Sequence, residues 1–220
     1  MAMAIKICGL TDEASIHAAI AARVDYVGFI SFPPSPRHLS FAAIASLRVL
    51  LPVTIQPVVV MVDPDDALIA QAKTITPAYI QLHGNETPER IASIKKMAPQ
   101  CAIAKAIAIR SADDVAKAKP YESCADMLLF DAKPPLLTAH RGEELLLPGG
   151  NGLTFDWNLL KGHAFTLPWM LSGGLNANNV AQAIRQSGAR MVDVSSGVER
   201  APGVKDPALI HAFAKAARDL

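Results

Sequence analysis

Apolar and polar positions follow one repeating order along this chain. A short run rich in Val, Ile and Ala comes first. A longer segment with apolar residues at helical spacing follows, and the pair recurs to the end. AIKIC, YVGFI, QPVVVMV, AYIQL, CAIAKAIAI, MLLFDA, PWMLSGG and MVDVSSG read as strands. TDEASIHAAIAA, SFAAIASLRVLL, DPDDALIAQAK, TPERIASIKKM, SADDVAKAK, FDWNLLKG (a short sixth helix), NANNVAQAIRQSG and DPALIHAFAKAARD read as helices. Thr11 is expected to cap the first helix, and the second starts after Ser40. Asp63 is expected to cap the third helix with Pro64 at its first position, and Thr87-Pro88 repeats the device.

Eight such units in one series predict parallel strands with right-handed crossovers. Eight strands close a ring, so the expected fold is a single (β/α)8 TIM barrel over residues 1–220. An open doubly wound sheet also alternates, but no G-x-G-x-x-G turn follows the first strand. The connection from Lys133 to Asn151 is too long for a plain turn and is expected to cover an active site.

Composition narrows the picture. The chain has 220 residues, 51% of them hydrophobic and 19% charged, which calls for a large core and argues against disorder. A net charge of +1 points to no nucleic-acid partner. Cys8, Cys101 and Cys124 form neither a disulfide framework nor a zinc pattern, and the six histidines lack ligand spacing. No metal is expected. No leader pattern and no membrane-length apolar run stand out, so a cytoplasmic protein with no membrane partner is expected.

Barrels of this kind build their sites where the strands end. The loops SGGL and SSGV, after strands seven and eight, bring Gly173, Gly174, Ser195, Ser196 and Gly197 together. Glycine backbones and serine hydroxyls suit a phosphate there, although one Gly-Gly pair alone is an ordinary turn. Asp131 ends an apolar run with no helix nearby to cap, and such flanks favour the protonated carboxyl that a general acid needs. Cys8 sits at the rim, with Lys6 on the same side of the strand. That ammonium is expected to favour a thiolate, a nucleophile or a base; by composition alone a cysteine is a core residue. Arg37, on the proline-stiffened PPSPRH loop, suits bidentate carboxylate binding or is a plain surface arginine. Gln81 and His83 end strand four; His83 is a proton carrier or a hydrogen-bond donor. Asp193 is expected either at the substrate or paired with Lys6 inside the barrel.

Together KICGLT, GFISFPPSPRH, QLHGNE, FDAKPP…GGNGLTFDW, SGGLNANNV and VDVSSGVERAPGVKD resemble the phosphoribosylanthranilate isomerase family, from the first strand to the last helix. The resemblance implies a cofactor-free (β/α)8 barrel of tryptophan biosynthesis; a monomer or homodimer is expected. It implies an Amadori rearrangement of a small phosphosugar–anthranilate substrate. On that resemblance Asp131 matches the general acid, Cys8 the general base and Arg37 the anthranilate-carboxylate contact. Gln81, His83 and Asp193 are expected to bind substrate. Gly152 joins the phosphate-binding set, since GGNG resembles the family's glycine-rich turn. Ser172 stands where many members have alanine. The alternatives are a bifunctional histidine/tryptophan isomerase, which uses aspartate in place of Cys8, and an inactive barrel serving as a binding subunit.

Overall fold

The computed structural model describes residues 3–133, 149–150 and 152–219. Eight parallel strands form a closed barrel in sequence order: β1 (Ala4–Cys8), β2 (Tyr26–Ile30), β3 (Gln56–Met61), β4 (Tyr79–Leu82), β5 (Ala102–Ile109), β6 (Met127–Ala132), β7 (Trp169–Leu171) and β8 (Met191–Val194). β1 pairs with both β2 and β8, which closes the ring. The helices are α1 (Glu13–Ala21), α2 (Phe41–Arg48), α3 (Asp66–Thr74), α4 (Pro88–Met97), α5 (Ala112–Ala116), α6 (Val180–Ser187) and α7 (Pro207–Arg218). The expected (β/α)8 barrel is therefore present. The long connection after β6 lies outside the described residues, apart from Lys133, Gly149 and Gly150.

Strand side chains alternate between two cores. Ile5, Ile7, Val27, Phe29, Leu128 and Phe130 join the large apolar cluster between strands and helices. Phe130 also packs on Phe165 and Trp169, with ring centroids 4.8 and 5.6 Å away. The intervening residues fill the interior: Ala104, Ala106, Met127, Leu129 and Met170, against Tyr26, Tyr79 and Met191. Small alanines on β5 leave room for the two tyrosines, which meet edge to face at 6.0 Å.

Local chemistry moves some helix starts. Asp12, not Thr11, caps α1 and accepts the Ser15 N–H at 2.7 Å. The Thr11 hydroxyl donates instead to the Gly203 carbonyl. Asp65, not Asp63, caps α3. Asp63 is in the left-handed region (φ +44°), and its carboxylate accepts the Asn85 N–H at 2.7 Å. Ser40 caps α2, and Thr87 caps α4 with Pro88 in its first turn. The expected sixth helix is a single 3-10 turn, Trp157–Leu160. Its three-residue period puts Trp157 and Leu160 on one buried side, which one turn already satisfies.

One element was not anticipated. Between β8 and α7 the chain forms an antiparallel hairpin of β9 (Glu199–Ala201) and β10 (Val204–Lys205). Its turn packs onto the loop before Arg37: a Cβ at Gly203 would lie 2.6 Å from the Pro36 carbonyl oxygen.

Candidate active site

Cys8 ends β1 and is buried, with its side chain toward the barrel interior. Its register partner on β2 is Gly28, where a Cβ would lie 2.8 Å from Cys8 Sγ and 3.2 Å from Lys6 Nζ. The glycine thus leaves space for thiol and ammonium together. Lys6 does not serve the thiol alone. Its Nζ donates to Asp193 Oδ1 at 2.9 Å, across a β1–β8 register that sets the two residues side by side. Asp193 Oδ2 also accepts from the Ser172 hydroxyl.

This pairing changes the electrostatics expected for Cys8. Burial works against the Lys6 charge, but Asp193 and Cys8 together hold it above the ordinary lysine value. Burial also pushes the Cys8 thiol up, and the pull of Lys6 and Lys205 does not offset it. The site therefore favours the thiol, not the thiolate expected from the Lys6–Cys8 spacing. Lys6 is already largely neutralised by its carboxylate partner.

Asp131, buried at the end of β6, is held at both oxygens. Oδ1 accepts the Ala132 N–H at 2.9 Å, and Oδ2 lies 3.2 Å from His83 Nε2. Gln81 Nε2 lies 3.1 Å from His83 Nδ1. A donating Gln81 amide leaves the neutral ring's proton on Nε2, facing Asp131. Gly149 closes over this pair: a Cβ there would lie 2.7 Å from Asp131 Oδ2 and 2.9 Å from His83 Nε2.

The loop bearing His83 is fixed from below by a buried ion pair. Lys105 Nζ donates to Glu86 Oε2 at 2.7 Å and to the Gly84 carbonyl at 2.6 Å. Glu86 Oε1 accepts the N–H groups of Asp63 and Gly84. QLHGNE therefore carries its own anchor, three residues after the histidine.

Arg37 is buried, and its stem crosses the end of β1. A Cβ at Gly9 (φ +76°) would lie 2.7 Å from Arg37 Cδ. Its Nε and Nη2 donate to Glu199 Oε1 and Oε2 at 2.7 and 2.8 Å. One edge of the expected fork is thus taken by a carboxylate of the same chain. Nη1 lies on the other side, close to Gly150. Burial opposes the charge on Glu199, but Arg37 and Lys205 hold its carboxyl below the usual range.

These groups line two adjoining cavities at the C-terminal ends of the strands. One, of about 520 Å³, is lined by Cys8, Arg37, Gln81, His83, Asp131, Asp193 and the apolar Ile30, Phe32, Val60 and Val62. The other, of about 340 Å³, is lined by Gly152, Gly173, Gly174, Ser195, Ser196 and, again, Asp131 and Asp193. Gly173 and Gly174 both have positive φ. Gly197 does not line either wall; a Cβ there would run into the Leu175 carbonyl, so its smallness joins the two loops. Eleven of the twelve residues expected in the site thus share one continuous space.

Glu199, Lys205, Glu86 and Lys105 were missed. A signal existed for the first two: opposite charges flank a Pro-Gly turn in ERAPGVK, as in a hairpin with a cross-strand ion pair. Among the described residues no three His, Cys, Asp or Glu side chains converge as a metal site, and no helix is long and apolar enough to cross a membrane.

Known proteins resemble this chain along its whole length. The family model described as "N-(5'phosphoribosyl)anthranilate (PRA) isomerase" matches residues 5–216. The chain belongs to the phosphoribosylanthranilate isomerase family. It is 48% identical over 219 residues to N-(5'-phosphoribosyl)anthranilate isomerase of Parvibaculum lavamentivorans, covering 99% of each chain. The crystal structure of the Thermotoga maritima family member superposes with a TM-score of 0.85 at 33% identity, covering 99% of this chain and 100% of that one. Another solved structure of the family, in complex with reduced 1-(o-carboxyphenylamino)-1-deoxyribulose 5-phosphate, has a TM-score of 0.82 at 30% identity, covering 99% of this chain and 100% of that one. The chain is accordingly an isomerase.

Proposed function

We propose that this enzyme converts N-(5-phosphoribosyl)anthranilate to 1-(2-carboxyphenylamino)-1-deoxyribulose 5-phosphate, the isomerisation step of tryptophan biosynthesis, by general acid–base catalysis. The observation that carries the reading is the layout of the double cavity. An acid candidate and a thiol share one space, with a glycine–serine cradle at one end and an arginine at the other. The substrate has the matching order: phosphate, reacting sugar carbons, aromatic carboxylate.

In this reading the phosphate lies against Gly152, Gly173, Gly174, Ser195 and Ser196. The anthranilate carboxylate meets Arg37 at Nη1, the side away from Glu199, with the ring against Ile30, Phe32 and Val60. Asp131 gives its proton to the ribose ring oxygen. The C1–O bond breaks as the anthranilate nitrogen forms C=N, which leaves an iminium ion. Cys8 then removes the C2 proton, and the enolamine tautomerises to the ketone. The iminium charge forms beside a sulfur that is neutral at rest; that adjacent cation favours the thiolate, so the thiol proton leaves to solvent before the sulfur takes the C2 proton, and Asp131 regains its proton from solvent. Lys6 and Asp193 keep the floor beneath Cys8 charge-balanced, and Gln81 orients His83 against Asp131.

The test is direct. Purified protein is given phosphoribosylanthranilate, and the loss of anthranilate fluorescence is followed. Turnover is expected without any added cofactor. A folded protein that leaves the fluorescence unchanged overturns the reading.

A further inference from the structure

Glu199 and Lys205 belong to neither the acid–base pair nor the cavity walls, yet buried bonds tie them to both ends of the site. They face each other across the β9–β10 hairpin, as register partners. Glu199 is saturated. Oε1 accepts from Arg37 Nε at 2.7 Å and Lys205 Nζ at 2.6 Å; Oε2 accepts from Arg37 Nη2 at 2.8 Å and the Gly203 N–H at 3.3 Å. The other Lys205 donors reach the phosphate-side loop, at the Ser195 carbonyl (2.9 Å) and the Ser195 hydroxyl oxygen (3.3 Å). The three charged side chains are at most 4% exposed.

Two consequences follow from this wiring. Ser195 Oγ accepts from Lys205, so its own O–H is free to donate into the cavity, and a donor chain of this kind strengthens along its length. The cluster also holds two cations and one anion. That leaves one net positive charge buried beside the place for the substrate carboxylate, where screening is weak.

Resting on the function proposed above, we infer that Glu199 and Lys205 are positioning residues that couple the two ends of the site, so that filling the phosphate cradle at Ser195 favours carboxylate binding at Arg37, and the reverse. Such coupling is reciprocal by linkage.

Titration calorimetry on the wild-type protein, with inorganic phosphate and benzoate as probes of the two ends, reads the coupling without turnover. Each anion is expected to tighten the other's binding by about fivefold. In Lys205→Met the tightening disappears, benzoate binds more weakly, and KM for phosphoribosylanthranilate rises much more than kcat falls. Ser195→Ala keeps the ion network. It is expected to bind benzoate alone as the wild type does and to lose the tightening. It carries the test if Lys205→Met does not fold. Independent binding of the two anions by the wild type overturns the inference, as does undiminished tightening in either variant. Failure of the wild type to turn over phosphoribosylanthranilate counts against the functional reading instead, because the coupling is measured separately.

Discussion

The lower and upper halves of the barrel interior stand on the same strands and the same alternation, but they carry opposite chemistry. β6 places Met127 and Leu129 inward below and Asp131 inward at the top. β4 places Tyr79 below and Gln81 above, next to His83. The lower half is mostly apolar, with Ala104, Met127, Leu129 and Met170 around a smaller cavity that Lys6 and the two tyrosines also line. The upper half carries the polar groups, bonded side chain to side chain, beside one apolar wall of Ile30, Phe32, Val60 and Val62, and it opens into the two larger cavities. A step of two residues along a strand is thus the whole distance between packing and chemistry. Stability and catalysis should separate along the same step.

The largest effect is expected from the helix-facing side. Phe130→Ala, next to Asp131 in sequence but pointing into the outer core, should cost about 3–5 kcal/mol in denaturant unfolding. The molecules that remain folded should keep near-normal kcat. Asp131→Asn should do the reverse. It should lower kcat by about 10²-fold or more with a small change in unfolding free energy. If Phe130→Ala lost activity while staying stable, the division between the faces would fail.

The interior contrast also explains what was legible in the sequence. The eight-fold alternation could be read because each strand has one face toward helices and one toward the interior, both written in residue type. Rim residues could be read because strand ends are visible wherever an apolar run stops. What depends on a distant partner could not. Lys6 beside Cys8 suggests a thiolate until Asp193, 187 residues away, is seen to hold the ammonium. Arg37 reads as a free fork until Glu199, 162 residues on, takes one edge. Caps failed where two candidates stood close together: Thr11 and Asp12, Asp63 and Asp65. Tertiary hydrogen bonds from Thr11 and to Asp63 decided between them.

A smaller effect sharpens the electrostatic side of the comparison. The Cys8 thiol titrates higher in the folded protein than in the unfolded chain. As pH rises past the ordinary thiol value, the unfolded chain releases a proton that the folded one retains, so stability falls. Thermal midpoints measured from neutral to alkaline pH should decline more steeply for the wild type than for Cys8→Ala. Equal slopes would mean that burial does not hold the proton on Cys8.

In the proposed reaction the thiol at the end of β1 removes the substrate's C2 proton. The most direct measurement is the initial rate of anthranilate fluorescence loss with Cys8→Ala beside the wild type, at saturating phosphoribosylanthranilate. A fall in kcat of about 10²-fold or more is expected, in a protein that remains folded. A Cys8→Ala enzyme turning over at near the wild-type rate would contradict it.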